Sequence, residues 1–180
     1  MKIDNEQLVK KCLEKDPLAQ KQLFDSFSRK MMGVCLRYSQ DQEEAQDVLQ
    51  MGFIKVFEKL HMYSSEGSLE GWIRKVIVNT ALDNIRKNKK FNDNIELDKV
   101  DFQLDNKSET GLEALSAKDL LRIIQEMPPG FRTVFNLYAI EGYSHKEIAE
   151  QLGITVSTSK SQYSRARVYL QKIIIEENIL

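Results

Sequence analysis

Toward the C-terminal end of the chain, Lys160, Ser161, Ser164, Arg165 and Arg167 lie in a stretch without an acidic residue. On one helix such hydroxyls and cations suit duplex DNA, since they can reach base edges in the major groove and phosphate oxygens beside it. The residues in front of them say how that helix would be presented. Ser144 and Glu147 have capping-box spacing, and Ile148, Ala149 and Leu152 share the buried face of a short helix. Gly153 can take the positive φ of a sharp turn, Ile154 packs back, and Thr155 or Ser157 caps the next helix. Small Ala149 permits a close crossing. This is a helix-turn-helix; we prefer it to a plain helical hairpin with a solvated basic face because cap, turn glycine, crossing residue and acid-free helix agree.

A second constellation sits in the first half. Trp72, Val76, Asn79, Asp83, Arg86 and Lys90 recur at steps of four and three, so they share one helical face. An aromatic, an amide and terminal cations on one face suit single-stranded DNA, where bases stack and cations hold the backbone. The structural alternatives are Trp72 in the core and Asp83–Arg86 as a surface ion pair of little worth. Ahead of this helix, Tyr63 to Gly67 form a polar loop. A third group, Asp41, Glu43, Glu44 and Asp47, suits a helix start, where acids complement the macrodipole. With Gln50 and Phe53 the same acids would also present a mixed surface to a partner coiled coil bearing Arg. Enzymatic chemistry has little to work with: there is no P-loop, no GxGxxG and no nucleophile elbow, and His61 and His145 are the two imidazoles. Glu58 and His61 spell half of a di-iron motif whose second copy is missing. The sequence therefore predicts no catalysis, no metal site and no cofactor.

The elements that must position these groups read as helices throughout. Asp4 and Asp16 serve as N-caps, the latter followed by Pro17 at the first helical position. The second helix carries Leu23, Phe27, Met31, Val34 and Tyr38 as an apolar stripe. A third opens with Asp41 and Glu44 as a capping box and buries Ala45, Val48, Gly52, Phe53, Val56 and Leu60. After a polar break at residues 61–68, a fourth follows Ser68 and runs to about Lys90. Residues 91–111 lose all periodicity and read as a flexible acidic linker. Beyond it, one helix holds Leu120, Leu121, Ile123 and Ile124, Pro128 and Pro129 break the chain, and a second holds Val134, Phe135, Leu137 and Tyr138. The expected fold is all-α, with two small helical domains at 1–90 and 112–180.

With 180 residues, 42% of them hydrophobic, the chain can bury one or two modest cores. Its apolar runs are far shorter than the ~20 residues a bilayer helix needs. No signal peptide follows Met1, and Cys12 and Cys35 form neither a CxxC pair nor a disulfide framework, so a cytoplasmic protein is expected. The net charge of -1 argues against nucleic acid only until it is resolved along the chain. Residues 1–90 sum to +3, 91–115 to -5 and 116–180 to +1, so acid is concentrated in the middle. Local runs such as Arg86, Lys87, Lys89 and Lys90 decide which surface meets phosphate.

Residues 142–154 and the continuation Thr158, Lys160, Ser161, Arg165, Ala166, Arg167 resemble region 4 of bacterial sigma-70-type factors of the extracytoplasmic function (ECF) group. Met127, Pro128 and Arg132 are similar to the start of that region. Independently, 41–60 with Ala45, Asp47, Gln50 and Phe53 resembles the region 2 core-binding helix, and 67–73 with Asn79, Asp83 and Arg86 its promoter-melting helix. Gln46 and Met51 stand where the family usually has Glu, Leu69 where it has Phe, and Ser159 where it has Val. The resemblance implies that Asp41, Glu44, Asp47, Gln50 and Phe53 bind core RNA polymerase. It implies that Tyr63, Ser64, Ser65, Trp72, Asn79, Asp83, Arg86 and Lys87 handle the melted -10 promoter element. Ser157, Thr158, Lys160, Ser161, Ser164, Arg165 and Arg167 would read the -35 element as duplex. It further implies an anti-sigma partner and a monomer that does not insert into membranes. A linker of ~20 residues spans up to ~66 Å at ~3.3 Å per residue, enough to bridge promoter boxes more than one ~34 Å turn apart. The alternative is a stand-alone helix-turn-helix regulator, which would bind DNA tightly without polymerase.

Overall fold

A computed structural model describes residues 5–87 and 116–176. Asp4, the linker, Lys89, Lys90 and both expected domain boundaries lie outside the described residues. The regular structure of the described residues is all helical. The chain separates into two compact units, Met1–Asn84 and Ile85–Leu180.

The first unit is built from α1 (Asn5–Leu13), α2 (Pro17–Tyr38), α3 (Gln42–Lys59) and all but the last turn of α4 (Leu69–Lys87), with one 3-10 turn at Leu60–Met62. Asp16 Oδ1 accepts hydrogen bonds from the amides of Leu18 at 2.8 Å and Ala19 at 3.4 Å, and Pro17 takes the first helical position. The stripe Leu23, Phe27, Met31, Val34 and Tyr38 is buried along its length. At the start of α3, Asp41 accepts from the Glu44 amide at 2.8 Å. The return arm differs from a closed capping box: Glu44 Oε2 accepts from the amide of Gln40, one residue before the cap. Gly52 is where α3 meets α4, because a Cβ there would stand 2.3 Å from Ile77 Cδ1. Ser68 Oγ accepts the Gly71 amide at 3.0 Å and starts α4, which buries Leu69, Ile73, Ile77 and Ala81.

The second unit holds α5 (Ala117–Glu126), α6 (Pro129–Phe135), α7 (His145–Leu152) and α8 (Val156–Glu176). Its core joins Ile123, Ile124, Met127, Phe131 and Phe135 to Ala166, Leu170 and Ile174 of α8. The helix expected through Tyr138 ends its α geometry at Phe135 and continues as a π turn over Asn136–Ile140, with the Glu141 amide reaching back five residues to Asn136 O at 2.9 Å. Leu137 is wholly buried, while Tyr138 is partly exposed.

Candidate nucleic-acid interface

The helix-turn-helix forms as its signals dictate. Ser144 and Glu147 make both arms of the capping box, and Gly153 ends α7 at φ 67°. Thr155 Oγ1 accepts from the Thr158 amide at 3.0 Å, so Thr155 rather than Ser157 is the cap of α8. α8 then has two stripes. Ser159, Gln162, Ala166 and Leu170 are buried against the unit. On the opposite side Ser157, Lys160, Ser161 and Arg167 are exposed, with Ser164 half-buried among them. Thr158 and Arg165, seven positions apart, lie half-buried on one flank. Thr158 Oγ1 is already bonded to Thr155 Oγ1 at 2.8 Å, and Ser161 Oγ donates to Thr158 O at 2.9 Å. A continuous outward row of hydroxyls and cations thus faces away from the core, the arrangement a major groove accepts.

The loop and the α4 face, separate in the sequence, are brought together. The Tyr63 hydroxyl donates to Gly67 O at 2.7 Å and closes the loop, and its ring centroid lies 5.7 Å from that of Trp72. Ser64 and Ser65 are exposed on the loop, Ser65 with φ 62°. Trp72 is half-buried, between the core and platform readings, and Asn79, Arg86 and Lys87 are exposed further along α4. Asp83 accepts from Lys55 Nζ at 2.8 Å, a partner on α3 that helical spacing did not suggest.

On α3 one residue needs correction. Phe53 was expected on the surface beside the acids, but it is 3% exposed and packs edge-on to Phe24 at 4.7 Å. Its position in the buried set Ala45, Val48, Gly52, Phe53, Val56 settles this, because one helical residue cannot face both ways. The apolar surface beside exposed Asp41, Asp47 and Gln50 comes from Met51 and Ile54. The signal was present: Asp47, Met51 and Ile54 follow steps of four and three on the side opposite the core. Glu44 is committed locally, with Oε1 accepting from Asn84 Nδ2 at 2.8 Å.

Also unforeseen is a polar tie within the helix-turn-helix. His145 Nδ1 lies 3.0 Å from Ser159 Oγ, and burial first, then the charge of Lys160, pushes the imidazole below its ordinary pKa. Among the described residues no group of three His, Cys, Asp or Glu could hold a metal ion, and no helix is long and apolar enough to cross a membrane.

A model of sigma-70 region 2 matches residues 23–91 and one of sigma-70 region 4 matches residues 117–170, together more than half of the chain. The chain is 29% identical over 145 residues to the ECF RNA polymerase sigma factor SigE of Mycolicibacterium smegmatis, covering 79% of this chain and 56% of that protein. It is 25% identical over 180 residues to the RNA polymerase sigma-H factor of Pseudomonas aeruginosa, covering 94% and 93%. Over 184 residues it is 26% identical to the ECF RNA polymerase sigma factor SigW of Bacillus subtilis, covering 91% and 93%. Among solved structures, the sigma factor RpoE of Bartonella quintana, in complex with the anti-sigma factor NepR, has the same fold at TM-score 0.51 and 21% identity, covering 86% of this chain and 95% of that one.

Proposed function

The chain belongs to the sigma-70 family, in its ECF group, and from that premise we propose that it binds core RNA polymerase and directs it to promoters. The observation that carries this is the presence of both regions on one chain, each with a polar face turned away from its own core. The outward row of α8, with Arg165 on the flank beside it, reads the -35 element as duplex, with Lys160, Ser161, Ser164 and Arg165 near bases and Arg167 holding phosphate. The Tyr63 loop and the α4 face of Trp72, Asn79, Arg86 and Lys87 receive the melted non-template strand of the -10 element. Extruding bases costs a few kcal/mol, which contacts to the captured bases must offset. Asp41, Asp47, Gln50, Met51 and Ile54 form the polymerase-facing surface of α3.

The chain catalyses nothing itself; it acts in the cytoplasm as a monomer and supplies specificity to the polymerase. An anti-sigma partner that packs against it when it is idle is part of this reading, by analogy with the Bartonella quintana complex. The experiment is run-off transcription with purified core polymerase, with and without the protein, alongside co-elution. Promoter-specific transcripts are expected when the protein is added. Asp47→Lys combined with Ile54→Ala should weaken co-elution about thirtyfold or more, the scale of losing an interface hot spot. Unchanged co-elution with an intact circular dichroism spectrum would place the polymerase surface elsewhere.

A further inference from the structure

Where α7 crosses α8, one imidazole is held from three sides. His145 Nδ1 meets the Ser159 hydroxyl at 3.0 Å. Its ring stacks on Tyr138 at 4.3 Å and 13° between planes, and Tyr163 approaches edge-on at 5.9 Å. Tyr138 and Tyr163 are themselves 4.5 Å apart. The π turn after α6, the first residue of α7 and the first half of α8 therefore meet at this ring.

Ser159 is completely buried. A buried hydroxyl is costly to leave unpaired, so the bond to His145 fixes the direction in which residue 159 must point. That direction sets every other direction on α8, because successive residues of an α-helix are turned by about 100°. Thr158 and Lys160 flank Ser159, and Ser161 follows. Burial and the Lys160 charge favour the neutral imidazole, whose Nδ1 either accepts from or donates to the hydroxyl depending on its tautomer. A valine at this position could pack but could not form a directional bond.

We propose that the His145–Ser159 bond is a positioning device for upstream-element reading: it sets the roll of α8 about its own axis and thereby decides which bases Lys160, Ser161 and Ser164 reach. His145 and Ser159 are positioning residues and touch no DNA. The proposal rests on the reading of α8 as the duplex-reading helix.

The test uses holoenzyme assembled from core polymerase and the full chain. Upstream duplexes are selected from a randomised pool, and affinity for the duplex chosen by the wild type is then measured. Ser159→Val, and His145→Phe, which keeps a ring against Tyr138, are expected to lower that affinity about tenfold, the scale of one lost base contact, and to broaden the selected sequence. Ser159→Thr keeps the hydroxyl and should retain both affinity and selection. Co-elution with core polymerase should be unchanged throughout. Wild-type affinity and selection in both Ser159→Val and His145→Phe would overturn the positioning role alone, as would a loss in Ser159→Thr equal to that in Ser159→Val. If Ser159→Val does not fold, His145→Phe decides by the same criterion. Failure of the wild-type holoenzyme to select any upstream sequence would instead overturn the DNA reading of α8 and the positioning role with it.

Discussion

Arg165 and Arg167 are two positions apart and face different surroundings: Arg167 is exposed in line with Lys160, whereas Arg165 is half-buried on the flank that holds Thr158. Their loss should therefore differ in kind. Arg165→Ala is expected to cost ~1–3 kcal/mol on the preferred upstream element and to relax selection at one position. Arg167→Ala should weaken all promoters alike and reduce the salt slope by about one. Binding to a panel of upstream-element variants separates the two, and identical uniform losses would erase the distinction. Away from DNA, Cys35 is wholly buried in α2, and burial above all pushes its thiol up to about 12, against an ordinary value of 9.0. Between those values the unfolded chain has released a proton that the folded chain keeps. The contribution to stability is thus complete below pH 9.0 and is lost as pH rises toward about 12. Cys35 should resist iodoacetamide in mildly alkaline buffer until denaturant opens the first unit; labelling of native protein at the rate of a free thiol would contradict this. Single residues were legible where one helical period decided them, as for Leu23 or Arg167. Phe53 went astray because two roles were asked of one side chain. The partner of His145 stayed hidden because Ser159 lies across a turn whose geometry no local spacing reports.

The packing of α3 on α4 is tight at Gly52. At Gly52 a methyl group would overlap Ile77 Cδ1 at 2.3 Å, and Ile77 is wholly buried. Alanine gains up to ~1 kcal/mol of helix propensity over glycine, but overpacking a filled site costs ~1–3 kcal/mol, so packing wins. Gly52→Ala should destabilise the protein by about 1 kcal/mol in urea denaturation. Ile77→Val removes the offending methyl and alone costs ~0.5–1.5 kcal/mol. Together the two should cost less than their sum, and a strictly additive double mutant would show that the contact is not the cause. Elements of this kind were largely legible. Asp16 with Pro17, Ser68, and Ser144 with Glu147 are local signals, and local bonds answer them at each start. The π turn at Asn136–Ile140 was not legible, because its reason is tertiary: it sends Leu137 into the core while Tyr138 meets His145. The closing of the Tyr63 loop on Trp72 is likewise a meeting of two elements, and neither contains its signal.

At the scale of the whole molecule, cations are divided between a face on α4 and a face on α8, with a stretch of net charge -5 in the sequence between them. Each face offers few cations, Arg86 and Lys87 on α4 and Lys160, Arg165 and Arg167 on α8, and a contact count that small gives weak, salt-sensitive affinity, ~0.1 mM to 1 µM at physiological salt. The isolated protein should therefore bind promoter duplex poorly, although it carries a complete helix-turn-helix. Core polymerase changes the arithmetic if it holds both regions at once. The second contact then becomes intramolecular, and avidity can exceed either affinity by ~10²–10⁴ without any new contact. A stand-alone regulator has no such dependence, because its own dimer supplies the second half-site. Fluorescence anisotropy with a labelled promoter duplex, titrated with the protein alone and then with core polymerase added, distinguishes the two. Weak binding alone and a steep gain with polymerase are expected, with the gain shrinking when charge reversal at Asp47 loosens the polymerase contact. Nanomolar, sequence-specific binding by the protein alone would reverse the argument, since one small face would then suffice for promoter selection and polymerase would add nothing to it.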